Sequence, residues 1–237
     1  VKRVLVAIAA LLAAALTAVV LAPAAWIGDW LEAHSRVRLL DARGTVWSGS
    51  ALVGVSDGRQ TMLVPGRLSW KVRLASLSVE LAHPALAAPV VVVPRPGSVG
   101  LKAGQAELPA ATLTALGAPF NTLRPGGTLA VSWTDAQWRP GGLAGNLQVE
   151  WRDAQSALST VVPLGTYRVR LTGNTGRLTL ETLNGPLLLQ GSGTLKGTRL
   201  SFKGLASAEP DMRQALAGLL GVLGPRSGHN AILALET

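Results

Sequence analysis

Arg67-Leu68-Ser69-Trp70-Lys71-Val72-Arg73-Leu74 decides the fold class, because apolar and polar residues alternate through all eight positions. A period of two puts Leu68, Trp70, Val72 and Leu74 on one face and Arg67, Ser69, Lys71 and Arg73 on the other, the pattern of a β-strand with one wet face. The alternation returns at Leu77, Val79 and Leu81, at Leu129, Val131 and Trp133, at Leu147, Val149 and Trp151, and at Tyr167, Val169 and Leu171. Leu178 with Leu180 and Leu200 with Phe202 continue it. Between these runs stand Asp57-Gly58, Pro65-Gly66, Pro140-Gly141-Gly142, residues 174–176 and Asn184-Gly185, each supplying a positive φ or a preset proline φ for a turn. Connections this short imply antiparallel neighbours. Residues 90–93 are four consecutive valines between Pro89 and Pro94, and read either as a strand buried on both faces or as an edge segment.

Two short helices interrupt the strands. The spacing predicts one over 108–116, with Pro109 in the first turn, Leu113 and Leu116 on one face and Gly117 as its stop. The other covers 210–223, opened by Pro210, carrying Met212, Ala215, Leu216, Leu219, Leu220 and Leu223 at helical spacing, and ended by Gly224-Pro225 before a last strand at 232–235. About ten strands of six residues present an apolar face of roughly 1,000 Å². Two helices about 15–20 Å long hide about a third of it. The expected fold is therefore mainly β: a large twisted antiparallel sheet that curls on itself, folds into a sandwich or leaves an apolar groove.

Ahead of the strands, residues 4–22 are apolar or small apart from Thr17, enough to span a hydrocarbon core, and Lys2 and Arg3 precede them. Val4, Leu5, Ile8, Leu11, Leu12, Leu16, Val19, Val20 and Leu21 would face lipid, with Trp26 and Trp30 at the far interface. The leading charges hold the N-terminus in the cytoplasm and send the rest across. A cleaved signal peptide is the rival, since Ala22-Pro23-Ala24 offers small residues near a cleavage position. Either way the body lies outside the cytoplasm. The organisation expected is a tip and membrane helix over 1–28 and a β-rich periplasmic body over 29–237, with two halves meeting near 118–126.

Of 237 residues, 48% are hydrophobic and 27 are Gly, which excludes a disordered chain. With no Cys, disulfides, thiolate nucleophiles and Cys-ligated metals are excluded. The charge of +9 comes from basic residues scattered singly, and a chain carried across a membrane meets little nucleic acid, so anionic lipid head groups or an acidic protein partner are the better counterparts. A solvated sheet face explains the charge equally well.

Gly54-Val55-Ser56-Asp57-Gly58 has the spacing of a hydrolase nucleophile elbow, but apolar strand-like segments on both sides make it a hairpin turn, whereas the elbow needs a strand-to-helix turn. His34, His83 and His229 lack ligand spacing, and the acids form no calcium loop. Gly191-Ser192-Gly193 with Lys196-Gly197 has no phosphate-cradling spacing. We therefore assign no catalytic residue, cofactor or metal. Trp47, Trp70, Trp133, Trp151 and Tyr167 stand at strand positions, where packing is the first reading and a contact surface the second.

Gly44-Thr45-Val46-Trp47-Ser48-Gly49-Ser50-Ala51 resembles the type II secretion system protein N family. The likeness continues through Leu116-Gly117-Ala118-Pro119, residues 127–133 and 142–154, Pro163-Leu164-Gly165-Thr166-Tyr167-Arg168, and the C-terminal order of Gly204-Leu205-Ala206, helix and final strand. The order of these common residues supplies the specificity. The resemblance implies a bitopic inner-membrane accessory component of the machine that exports folded proteins through an outer-membrane secretin, with inner-membrane platform subunits and the secretin as partners. The family is also similar to the C-terminal regions of AsmA-type envelope proteins, which implies the alternative of a phospholipid-binding module with an apolar sheet groove.

Overall fold

The structure is a computed structural model that describes residues 2–35, 37–56, 61–117, 120–140, 142–197 and 199–236. Two compact units divide the chain, Val1–Pro84 and Ala85–Thr237. The first holds helices α1 (Lys2–Val20) and α2 (Ala25–His34) and strands β1 (Val37–Gly44), β2 (Ser48–Ser56), β3 (Thr61–Arg73) and β4 (Ser78–Ala82). Its strands pair as an antiparallel meander in the order β1-β2-β3-β4. Trp70 of β3 is the centre of its core and packs with Ala51 of β2 and with Ala24 between the two helices.

The second unit contains β5 (Val90–Arg95), β6 (Ser98–Leu101), β7 (Gly104–Pro109), α3 (Phe120–Leu123), β8 (Pro125–Trp133), β9 (Ala136–Arg139), β10 (Gly142–Ala144), β11 (Asn146–Ser156), β12 (Gly165–Thr172), β13 (Arg177–Asn184), β14 (Leu187–Lys196), β15 (Arg199–Ala208), α4 (Arg213–Leu223), β16 (Arg226–Ser227) and β17 (Asn230–Glu236). Nine of these strands form one antiparallel sheet in the order β16-β17-β15-β14-β13-β12-β11-β8-β7. In the same unit β5 pairs with β6, β6 with β9 and β9 with β10. Inward residues of the large sheet lie side by side across strands, Val131 against Val149 and Val149 against Val169. Helix α4 lays Leu216, Leu219 and Leu220 over one end of that face, where the small side chains of Ala206, Ala208 and Ala231 let it approach Tyr167 and Leu187 closely.

The mainly β, antiparallel reading is what the structure shows, and the turns at 174–176 and 184–185 stand where glycine φ angles are positive, +64° at Gly176 and +111° at Gly185. Four local expectations differ. Residues 108–116 do not form an α-helix: Leu108 and Pro109 stay in the β7–β8 ladder, and Ala110–Leu116 winds as a 3₁₀ helix. The hydroxyls of Thr112 and Thr114 donate to carbonyls three residues back, at 2.7 Å each, which suits the tighter 3₁₀ spacing. Pro65-Gly66 is not a turn but part of β3, where Gly66 at φ +112° bends the strand against His83 and Pro84. Leu74 and Leu77 do not continue the apolar face of Trp70: Leu74–Ser76 is a 3₁₀ turn, Leu77 is left-handed at φ 45°, and both side chains are exposed. Finally, α2 and α3 add to the two helices read from the sequence. Asp57-Gly58 and Gly141 lie outside the described residues.

Candidate membrane anchor and contact surface

Helix α1 is apolar on every side, and none of its spanning window, Arg3–Val20, is buried by the rest of the chain. Val4, Leu5, Ile8, Leu11, Leu12, Leu16, Val19 and Val20 are all exposed. The hydroxyl of Thr17, the one polar group in the run, donates to the Ala13 carbonyl at 2.8 Å, so no side-chain donor is left facing an apolar medium. Leu21 follows the last helical turn, and Trp26 sits on α2 rather than on the spanning helix.

A helix leaves its last carbonyls without intrahelical partners. Here the Leu21 amide donates to Thr17 O at 2.9 Å and the Trp47 indole N–H donates to Val19 O at 2.8 Å. The link from α1 to α2 is then stitched to the β1–β2 turn: Ala24 N–H donates to Gly44 O at 3.1 Å and Val46 N–H to Ala22 O at 2.9 Å. Ala22 and Ala24, the small residues that could mark a cleavage position, are buried at 6% and 1% exposure. Residues 44–51, where the family resemblance begins, thus hold the β1–β2 turn that is hydrogen-bonded to the end of α1.

Helix α2 packs through Gly28, where a Cβ would lie 3.5 Å from the Leu39 carbonyl, and it is tied to β1 by Glu32 and Arg38 at 2.7 Å. Its other side exposes Trp26 and Trp30, one turn apart, with Trp30 stacked on His34 at 5.0 Å. The sequence reading placed both tryptophans without seeing the helix that carries them. The signal was available in their i, i+4 spacing.

Two of the strand tryptophans, Trp70 and Trp133, share one arrangement. Trp70 lies over Gly49, its directly paired residue on β2, so closely that a Cβ there would be 2.5 Å from the ring. Trp133 lies over Gly104, its partner on β7, with the same test giving 2.6 Å. Each indole also finds a carbonyl: Trp70 donates to Thr45 O at 3.2 Å, Trp133 to Lys102 O at 2.8 Å and Trp151 to Gly126 O at 2.8 Å. Phe202 rests its ring against Gly191 of β14 in the same way, an added Cβ there running into Cζ, while Gly193, its directly paired residue, faces the Phe202 main chain. A glycine in a strand offers the flat surface on which a cross-strand ring can rest. Glycine opposite tryptophan is the feature that sequence reading missed.

Tyr167 is buried beside Trp151, ring centres 5.8 Å apart, and its hydroxyl lies 2.9 Å from Leu164 O and 3.0 Å from Leu187 O. Burial pushes its pKa above the ordinary tyrosine value. On the opposite, polar face of the same strands, Arg168 donates to Glu150 from Nε at 3.0 Å and from Nη2 at 2.9 Å. That pairing, with Arg152 behind it, holds the Glu150 carboxyl below its ordinary range. This face is a ladder of crossed charges, with Arg168 and Arg170 also reaching Glu181.

Ser56, the serine of the elbow-like spacing, ends β2 and pairs with Thr61 of β3, so the next element after it is a strand and not a helix. Among the described residues no three His, Cys, Asp or Glu side chains gather as a metal site.

The family model for type II secretion system (T2SS), protein N, matches residues 35–233. The chain belongs to that family. It is accordingly a component of the type II secretion system, a class of secretion machinery and not a known class of enzyme, and the family implies interaction with other subunits of the system. The apolar α1 is consistent with a single-pass inner-membrane protein. Comparison with curated proteins and with solved structures returned no match.

Proposed function

We propose that this protein N family member is an accessory inner-membrane component whose β-rich body, residues 29–237, stands in the periplasm and works by contact with inner-membrane platform subunits and the secretin during export of folded proteins. The family match across the body carries this reading. The charge order supports it, since Lys2 and Arg3 precede α1 and favour a cytoplasmic N-terminus. No catalytic role is assigned to any side chain, and the tryptophans and Tyr167 serve packing first. Deletion should leave exported enzymes in the periplasm, and photo-crosslinkers along the sheets of the full chain in intact cells should yield adducts with secretion-system subunits. Recovery of the whole chain from the cytosol, or normal secretion after deletion, refutes the proposal.

One observation favours a second reading, a phospholipid-binding module. In the second unit a cavity of about 830 Å³ is lined by Val90, Trp133, Leu147 and Leu171 with Arg170, apolar wall and cation together. A crosslinker at Leu147 that captures phospholipid would support it, and protein adducts alone would remove it.

A further inference from the structure

The β3–β4 connection presents two leucines to solvent in a way that packing of the unit does not explain. Leu74 is 64% exposed and Leu77 is 72% exposed, on a five-residue tip, Leu74-Ala75-Ser76-Leu77-Ser78, that carries no charge. Leu77 is held left-handed at φ 45°, ψ 50°, a conformation that disfavours a residue with a Cβ and that glycine or asparagine would adopt more readily. Its backbone is fixed there by the Leu77 N–H donating to Leu74 O at 3.3 Å. Lys71 and Arg73 precede the tip, and the one acid in the hairpin register, Glu80 of β4, stands opposite Lys71 and is paired with Arg73.

Position gives this tip a counterpart. In an antiparallel meander the β1–β2 turn and the β3–β4 turn lie at the same end, and here they are joined directly: the Val72 N–H donates to Trp47 O at 2.7 Å. The same Trp47 donates its indole N–H to Val19 O, on the last turn of α1. Two hydrogen bonds therefore connect the exit of the membrane helix to a point two residues, or about 7 Å of strand, from Leu74. Trp26 and Trp30, also exposed, stand on α2, which begins five residues after α1 ends.

Resting on the reading of α1 as a membrane helix, we propose that the 74–78 tip is a second membrane attachment point, with Leu74 and Leu77 inserted among lipid head groups and upper acyl chains while Lys71 faces anionic head groups. The occupant is the bilayer surface, because the apolar tip is joined through Trp47 to the helix exit and because two neighbouring exposed leucines beside a lysine suit the head-group boundary. Arg73 is paired with Glu80 and acts as part of the hairpin rather than as a lipid contact. Anchored at α1 and at the tip, the first unit would be restrained from swivelling about the α1 exit.

The chain has no cysteine, so single labels can be placed cleanly. Full-length protein bearing Leu77→Cys, Leu74→Cys, Thr61→Cys or Leu12→Cys, each labelled with an environment-sensitive fluorophore, is reconstituted in vesicles of phosphatidylethanolamine and phosphatidylglycerol, 3:1. Thr61, at the opposite end of β3, reports water, and Leu12 reports the hydrocarbon core. Labels at 74 and 77 should be quenched by shallow doxyl lipids at least three-fold more than the label at 61, and should be protected from aqueous iodide. Adding Lys71→Glu to the label at 77 should reduce its lipid quenching. If labels at 74 and 77 see iodide as freely as 61 while 12 sees lipid, the tip proposal is overturned and the anchor stands. If 12 also sees water, the anchor reading itself fails, and the tip proposal with it.

Discussion

Gly49→Ala tests the packing rule on which both sheets depend. Gly49 has ordinary strand backbone, so alanine meets no conformational penalty at φ, and the whole effect comes from space. An added Cβ would lie 2.5 Å from Trp70 Cζ2, 2.6 Å from Arg43 O and 3.0 Å from Thr45 O, where ordinary contact is 3.4–4 Å. About 1 Å of movement is needed. Trp70 is only 6% exposed and the other two atoms are main chain, so no flexible tip can yield. Overpacking of this kind costs about 1–3 kcal/mol. For a unit of fewer than a hundred residues that corresponds to a fall of about 5 °C or more in its unfolding midpoint. The assay is thermal unfolding of the full chain in detergent, followed by tryptophan emission. Gly218→Ala is the opposing control: its site in α4 is open, and removing a helix-interior glycine should stabilise by about 1 kcal/mol. A Gly49→Ala protein that melts with the wild type refutes the claim that glycine is there for the ring.

Further outcomes follow from single contacts. Trp47→Phe keeps an aromatic ring, though a smaller one, and removes the donor to Val19 O, costing about 1 kcal/mol and exposing residues 22–24 to protease that the parent resists, as a limited-digestion time course would record. Leu216→Ala empties a fully buried position under α4 and should destabilise the second unit by about 2–5 kcal/mol on denaturant titration. Glu150 has its pKa lowered by Arg168, so its contribution is present above the ordinary Glu value of about 4.3 and is lost as pH falls through the lower folded value. Midpoints measured from pH 7 down to pH 3 should drop less steeply for Arg168→Met than for the parent, and identical slopes would show that the pair carries no such linkage.

Strand identity was legible wherever one face meets water, as in β3, β11 and β12, because the two-residue period survives any arrangement of neighbours. The apolar leading helix was legible for a similar reason: length and apolarity alone mark it as long enough to cross a membrane. Residues 74–77 misled because alternation continues through a hairpin tip into β4, where Val79 and Leu81 do pack beside Trp70, and only the pairing of Arg73 with Ser78 reveals where the strand stops. Residues 108–116 misled because proline and leucine spacing suits a helix start, while the ladder to β8 held the first two in the sheet. For the contact surface, the tryptophans were visible one by one, but their carbonyl acceptors and facing glycines lie 25 to 31 residues away in sequence, or 21 to 29, and no local pattern reports them.

What the amino-acid order determined by itself is a mainly β body with an apolar leading helix and, through the order of its motifs, membership of a secretion-system family. The first two are properties of periodicity, length and composition, which act within a few residues, while the family rests on a resemblance in motif order that runs through residues 35–233. Tertiary structure alone decided that Trp47 closes the end of α1, that Ala22 and Ala24 are hidden, and that Leu74 and Leu77 are not. Those depend on register between strands, and register is a property of pairs, which a single chain segment does not contain.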